Sequence, residues 1–466
     1  MIQVVNSGGG AATITESLSV LFVSRRVDPD IDQLPELPHQ CHNRVGLIDR
    51  RCEIGLDGVG TGEGRSGMSD QGPARIGERI AELRKIHGAT QRGLSQRANV
   101  SYSLLRKVEC GERPASHSFV AAIARALSVN VTDITEQPYG ARNASPASEQ
   151  AGVPALRQAL VEGDDPELDT PTRSTEELRE AVAQIKEWDR RTKHAEAVRA
   201  LPDVLRHLHR ASHELPTDQQ PPIHELLSAA YFYAVGSLYR LGHLDLAHLA
   251  DDRARAAAAR GGDPLRAAVA EWQHALILLF DGSYPAGLRA IDRASALIDL
   301  APPQPATQAI RGALHLRAAI LAARTSNADL AESHLAEADA LTAPGQEQAN
   351  FYATKFSGSN VDIHRVAVPV ELADGTTAVT RAASVRLPAT TAPSRSGHYW
   401  IDLSRAWLLH GDRRHALDAL HQARRIAPQL TRYHPQVHDT VQTLAANDAR
   451  ATGSLAHFAA WCGVNR

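Results

Sequence analysis

Four neighbouring side chains carry the clearest chemistry in the chain: Tyr102, Ser103, Arg106 and Lys107. They lie in the stretch from Thr90 to Gly111, whose pattern predicts two short helices. Thr90 is a good N-cap for the first, which runs to Ala98. Asn99 tolerates the left-handed backbone that a tight turn demands. Ser101 caps the second helix, and Gly111 ends it. The spacing puts Leu94, Ala98, Val100, Leu105 and Val108 in a wedge between the two helices. The four polar residues then project from the opposite face. Hydroxyls, a guanidinium and an ammonium near a helix N-terminus can donate to phosphate oxygens and base edges, which is the equipment of a helix that enters a DNA major groove.

The charge distribution agrees with that chemistry. The 466 residues carry a net charge of −3, but Arg75–Gln137 holds ten basic and six acidic residues, which is +4 and leaves −7 for the rest. A basic module on a mildly acidic body is the footprint of a small DNA-binding domain. Only five lysines occur, so arginine supplies nearly all the positive charge, a bias typical of GC-rich genomes. Cys41, Cys52, Cys110 and Cys462 have neither zinc-ligand spacing nor the look of a disulfide framework, which fits a reducing cytoplasm. No apolar run approaches the ~18 residues of a membrane span, and MIQVVNSGGG lacks the pattern of a signal peptide. A cytoplasmic protein without a membrane partner is expected.

The segment Ile76–Thr135 resembles the phage-repressor-like helix-turn-helix family, also called the xenobiotic-response-element family. The resemblance is carried by Ile76-Gly77-Glu78-Arg79-Ile80, Leu83-Arg84, Gly88, Thr90-Gln91, Leu94, Val100-Ser101, Glu109, Gly111, Pro114 and Ala124-Arg125-Ala126-Leu127. It implies a five-helix bundle that binds double-stranded DNA as a homodimer on an operator palindrome. It also implies roles. Gln91 touches a phosphate and braces the recognition helix. Tyr102, Ser103 and Lys107 read base edges, with Arg106 beside them. Arg113 contacts the backbone after that helix, and Arg84 with Glu109 forms a buried structural ion pair. The chain departs from the family at Gly93, which sits inside a helix at a cost of roughly 1 kcal/mol relative to Ala. Ser95 replaces the usual Ala, and Ser128 the usual Gly.

Four regions follow from composition and periodicity. Residues 1–74 lack sustained periodicity and are expected to be a disordered arm or an upstream extension, with Met68 as an alternative start. Residues 75–137 are the helix-turn-helix domain. Residues 138–173, rich in Pro, Gly, Ser and Thr, are expected to be a linker. Residues 174–466 read as helical repeats, beginning at Ser174-Thr175-Glu176-Glu177, whose order suits a helix start. Turn residues recur at Gly242, Gly282, Ser326, Ala373 and Gly411, at intervals of 40, 44, 47 and 38. Each is followed five positions later by a small residue and, except at Val385, twelve positions later by Ala. A hairpin cannot bury its apolar face alone, so such units stack into a solenoid. The expected fold is all-α: a five-helix DNA-binding bundle plus a tetratricopeptide-like α-solenoid. The combination resembles a large group of actinobacterial regulators. Phe356–Val366 and Tyr399–Ala406 resemble segments that recur in it, and the resemblance implies a peptide or small-molecule effector.

Other chemistry is poorly supported. His209 and His213 lie one helical turn apart, but no Cys or paired acid completes a zinc set. There is no phosphate loop after a strand and no nucleophile elbow; Gly8-Gly9-Gly10 lacks both context and Lys. No enzyme activity, cofactor or metal is expected. Asn360 and His364 can share one helix face, as can Asp402 and Arg405, and such a polar stripe in a repeat groove either binds ligand or satisfies buried groups. The reading is a transcription regulator whose repeat domain dimerises and senses a peptide, small molecule or protein. The alternative is an adaptor that holds a protein partner through its repeats, with DNA binding secondary.

Overall fold

Left-handed turns set the period of the larger part of the molecule. Gly242, Gly282, Ser326, Ala373 and Gly411 all have positive φ, between 60° and 99°. Each stops one helix and returns the chain antiparallel to it. The small residues five positions on, Ala247, Gly287, Ala331, Ala378 and Ala416, are buried where the second helix meets its neighbours. Ala254, Ala294, Ala338 and Ala423 are buried as well. Val385, the irregular one, is half-buried.

The computed structural model describes residues 76–138, 148–166, 170–344, 349–447 and 453–464, and no strand occurs among them. The expectations for residues 1–74, including the start at Met68, lie outside the described residues. The N-terminal domain is five helices: α1 (Ile76–Ile86), α2 (Gln91–Arg97), α3 (Tyr102–Glu109), α4 (His117–Leu127) and α5 (Val131–Thr135). After α6 (Val153–Glu162) come six helix pairs: α7 (Thr175–Arg190) with α8 (His194–Glu214), α9 (Gln220–Arg240) with α10 (Leu244–Gly261), and α11 (Pro264–Phe280) with α12 (Tyr284–Ile298). The series continues with α13 (Pro305–Arg324) and α14 (Ala328–Ala340), α15 (Gly358–Glu371) and α16 (Gly375–Ala382), and α17 (Pro393–His410) and α18 (Arg413–Ile426). Three shorter helices, α19 (Pro428–Tyr433), α20 (Pro435–Asn447) and α21 (Gly453–Cys462), close the end. The fold is all-α, a five-helix bundle joined to a helical-repeat solenoid.

The repeat extends one hairpin further upstream than its sequence period. Between α7 and α8 the turn residue is Thr192, with φ 56°, and Ala197 five positions on is fully buried. The capping box expected at Ser174 starts this hairpin: Glu177 N–H donates to Ser174 Oγ at 3.3 Å, and Ser174 N–H donates to Glu177 Oε2 at 2.8 Å.

The stretch 138–173, expected to be a linker, holds a structured element of the body. Gly152 and Gly163 do break the chain, but Val153, Leu156, Ala159 and Leu160 between them lie on one face of α6. That face packs into the same apolar cluster as Val198 and Leu201 of α8. Arg206 of α8 forms a two-point pair with Glu162, at 2.6 and 3.0 Å. A helical period of apolar residues here outweighs the turn-forming composition around it.

The described residues make one compact unit, so the five-helix domain is seated directly on the repeats. The seat is α4. Ala121 belongs to the same apolar cluster as Leu279 and Tyr284 of the body. Arg125 donates to the Gly282 carbonyl at 3.0 Å. Gly282 does double service here: it takes the left-handed turn, and a Cβ on it would collide with Ala121.

Candidate nucleic-acid interface

The local signals around α2 and α3 produce the geometry they imply. Thr90 Oγ1 accepts from Gly93 N–H at 3.0 Å, and Ser101 Oγ accepts from Leu104 N–H at 3.1 Å. Asn99 takes φ 53° between the helices, and Gly111 takes φ 70° after the second. Leu94 and Leu105 are fully buried, Val108 and Ala98 nearly so, and Val100 packs at the edge. Gly77 allows α1 to lie against α3, because a methyl there would run into the Val108 carbonyl.

With its apolar side sealed in this way, α3 turns Tyr102, Ser103, Arg106 and Lys107 to solvent, and Arg113 just beyond it is also exposed. Tyr102 is 43 % exposed, unusual for a side chain of its size unless it has something to meet. Arg92 sits over its ring at 5.7 Å. The outer face of α3 therefore presents a phenol, a hydroxyl, a guanidinium and an ammonium together, with no apolar neighbour to cover them.

Three residues hold α3 at its angle. Arg84 donates to both oxygens of Glu109, at 2.8 and 3.0 Å, and its third nitrogen reaches the Ala89 carbonyl at 3.0 Å. Gln91 Nε2 donates to Glu109 Oε2 at 2.7 Å, and its Oε1 accepts from the Tyr102 hydroxyl at 3.4 Å. Gln91 is thus a brace between α2 and α3. The second N–H of its amide is used by neither bond and is left to donate to a phosphate.

Asn360 and His364 touch through the Asn360 carbonyl, but their side chains take different partners. The Asn360 side chain turns back to the carbonyl of Lys355 at 3.1 Å and fastens the start of α15. His364 lines the interior channel of the repeats, its Nδ1 2.7 Å from the Asn360 carbonyl, and burial pushes its pKa down to about 3. His209 is buried and meets the Tyr231 hydroxyl at 2.6 Å, while His213 is exposed and meets the Asp164 carbonyl at 2.6 Å. Among the described residues no three His, Cys, Asp or Glu side chains are grouped to hold a metal, and no helix is long and apolar enough to cross a membrane.

The sequence reading missed a polar hub where the two parts meet. Glu371, on α15, pairs with Arg324 at 3.1 Å and Arg405 at 2.9 Å, and Arg405 also reaches Asp402 at 3.0 Å. His117, the first residue of α4, stands 3.6 Å from the same carboxylate. Burial tends to raise the Glu371 pKa, but the two guanidiniums outweigh it and hold the acid well below its usual range. Burial and Arg324 hold His117 down to about 4, so it faces Glu371 as a neutral ring at neutral pH. The five-helix domain and the interior of the repeats thus share one electrostatic cluster.

Comparison with known proteins adds little outside the N-terminal domain. No curated protein matches the chain. Among solved structures, the crystal structure of Bacillus thuringiensis PlcR in complex with the peptide PapR7 and DNA overlaps it at a TM-score of 0.23 and 13% identity, covering 57% of this chain and 94% of that one. Residues 75–136, the span of α1 to α5, match the family described as a helix-turn-helix domain.

Proposed function

We propose that this protein is a cytoplasmic transcription regulator of the phage-repressor-like type, joined to its repeats in the manner of the actinobacterial regulators it resembles. It acts by binding, not by catalysis, and needs no cofactor. Its bundle reads a palindromic operator in double-stranded DNA, and the active species is a homodimer. The repeat body senses an effector, a peptide or a small molecule, and passes the signal to the bundle through the α4 seat.

One observation carries the reading: the polar outer face of α3 is fully presented to solvent over a sealed apolar wedge. Among the described residues nothing packs on the side chains of Arg106 or Lys107, whereas a duplex would use both. Tyr102, Ser103 and Lys107 are assigned to base edges with Arg106 beside them, Arg113 to the backbone after the helix, and Gln91 to a phosphate and to bracing.

Selection of duplexes from a random library by the full chain tests this directly. A palindromic consensus is expected, bound two chains per site in sedimentation, with affinity falling steeply as salt rises. Lys107→Ala should relax preference at one base position per half-site at a cost of about 1–3 kcal/mol. Recovery of no consensus at any salt would overturn the assignment.

A further inference from the structure

The first helices of successive hairpins, α9, α11, α13, α15 and α17, turn one face inward on a shared, partly open cavity. Its wall is unusual for a protein interior. Six cations line it: Arg240, Arg317, Arg324, Lys355, Arg395 and Arg405. Three acids face them: Asp189, Glu371 and Asp402.

The acids are already committed. Lys355 lies 2.8 Å from Asp189, with Arg240 at 3.9 Å, while Arg324 and Arg405 share Glu371 and Asp402. Two guanidiniums remain. Among the described residues, Arg317 and Arg395 have no carboxylate within ion-pair distance. Arg317 rests on the Trp272 ring, 4.6 Å from its centre. The Nε of Arg395 is buried and meets no acceptor, and the same holds for Nε2 of His398, one helical turn further along α17. The charge is not comfortable there: burial, then repulsion from Arg395, Arg324 and Arg240, opposed in part by Tyr239, draws the Arg317 pKa down to about 9. A buried cation without an anion is costly, and such groups are kept when something else completes them.

The rest of the wall is aromatic. Phe232 and Trp272 stack 6.4 Å apart, and Tyr239 lies 4.8 Å from Phe280. Tyr239 and Phe280 also line a small, mostly apolar space under α4, which Val120 and Val131 of the five-helix domain help to enclose.

We infer that this cavity binds a small organic acid, its acidic group between Arg317 and Arg395 and its apolar or aromatic body along Trp272, Tyr239 and Phe280. This rests on the reading of the repeats as a sensor and names the chemical class of what is sensed. Free carboxylates and phosphate monoesters with an apolar body share the needed chemistry; an unsubstituted inorganic anion would leave the aromatic wall open to water.

The test uses the full chain and the fluorescent probe 8-anilinonaphthalene-1-sulfonate, which joins an aromatic body to an acidic group. Saturable binding at one site is expected, and its neutral counterpart N-phenyl-1-naphthylamine should bind at least tenfold more weakly. Arg317→Met with Arg395→Met should weaken the sulfonate at least tenfold while leaving the helical signal unchanged. The same double variant should melt at a higher temperature than the parent, since it removes two uncompensated charges and keeps their packing volume. Equal affinity for the charged and neutral probes, unaltered binding by the double variant, or no saturable site would overturn the inference. Operator binding, measured with and without a small-molecule cell extract, separates the two readings. A response to extract without sulfonate binding removes the organic acid and keeps the sensor, and no response removes the sensor.

Discussion

At the scale of single residues, the molecule concentrates its electrostatic risk in a few side chains. Glu371 is the plainest case, since two buried guanidiniums depend on it. Glu371→Gln should cost about 3–5 kcal/mol of stability in urea unfolding of the full chain, the usual consequence of breaking one side of a buried pair. Histidines give a second expectation. Among the described residues twelve are held below their ordinary value, chiefly by burial: His117, His194, His209, His224, His243, His315, His334, His364, His398, His421, His434 and His438. The unfolded chain takes up those protons near pH ~6.5, while the folded chain refuses them. Their stabilising effect is therefore complete above that pH and is lost as pH falls toward 4, where His117 itself titrates. Glu225, Asp251, Asp402 and Asp439, pushed up by burial, work in the opposite direction, but they are fewer. The melting temperature should fall between about pH 7 and about pH 5; a flat or rising profile would refute the balance. Legibility at this scale was uneven. The role of Arg84 with Glu109 came from resemblance, whereas the paired and unpaired cations of the cavity left no trace. An arginine facing an interior channel has the same sequence pattern as one facing solvent.

At the scale of elements, local backbone preferences did most of the positioning, and these are what a sequence displays. Asn99, Ser101 and Gly111 each act within a few residues of their own position, so α2 and α3 could be placed from spacing alone. The repeat was legible for the same reason at five turns. It was hidden at the sixth, because Thr192 is not a usual turn residue and Val204 stands twelve positions later where the others have Ala. Helix α6 was hidden by composition. Two measurements probe the elements. Ala373 holds φ 62°, a conformation that costs an L-residue about 1 kcal/mol, so Ala373→Gly should gain that much in denaturant midpoint. Gly77→Ala forces α1 away from α3, and by the usual cost of overpacking it should lose about 1–3 kcal/mol. An unchanged midpoint would mean that the two helices can part without penalty.

At the scale of the whole molecule, the consequential fact is where α4 sits. The composition of residues 138–173 suggested a loose tether, and a loose tether would leave the five-helix domain free of the repeats. Contacts such as Ala121 on the Leu279–Tyr284 cluster and Arg125 on Gly282 join residues more than 150 positions apart, and no local pattern announces them. Ala121→Glu would drive a carboxylate into that cluster. Small-angle scattering should then report a larger radius of gyration with unchanged circular dichroism, and an unchanged radius would refute the seat. The seat also carries an obligation. Because His117 belongs at once to the domain that faces DNA and to the wall of the interior cavity, any free energy by which an occupant of the cavity favours one position of α4 must be returned in full by DNA. An operator that prefers α4 displaced would loosen whatever the cavity holds, by the same factor with which that occupant weakens the operator. DNA would then be an effector of the sensor as much as its target. A cell with many vacant operators would set the apparent sensitivity of the sensor differently from a cell with one.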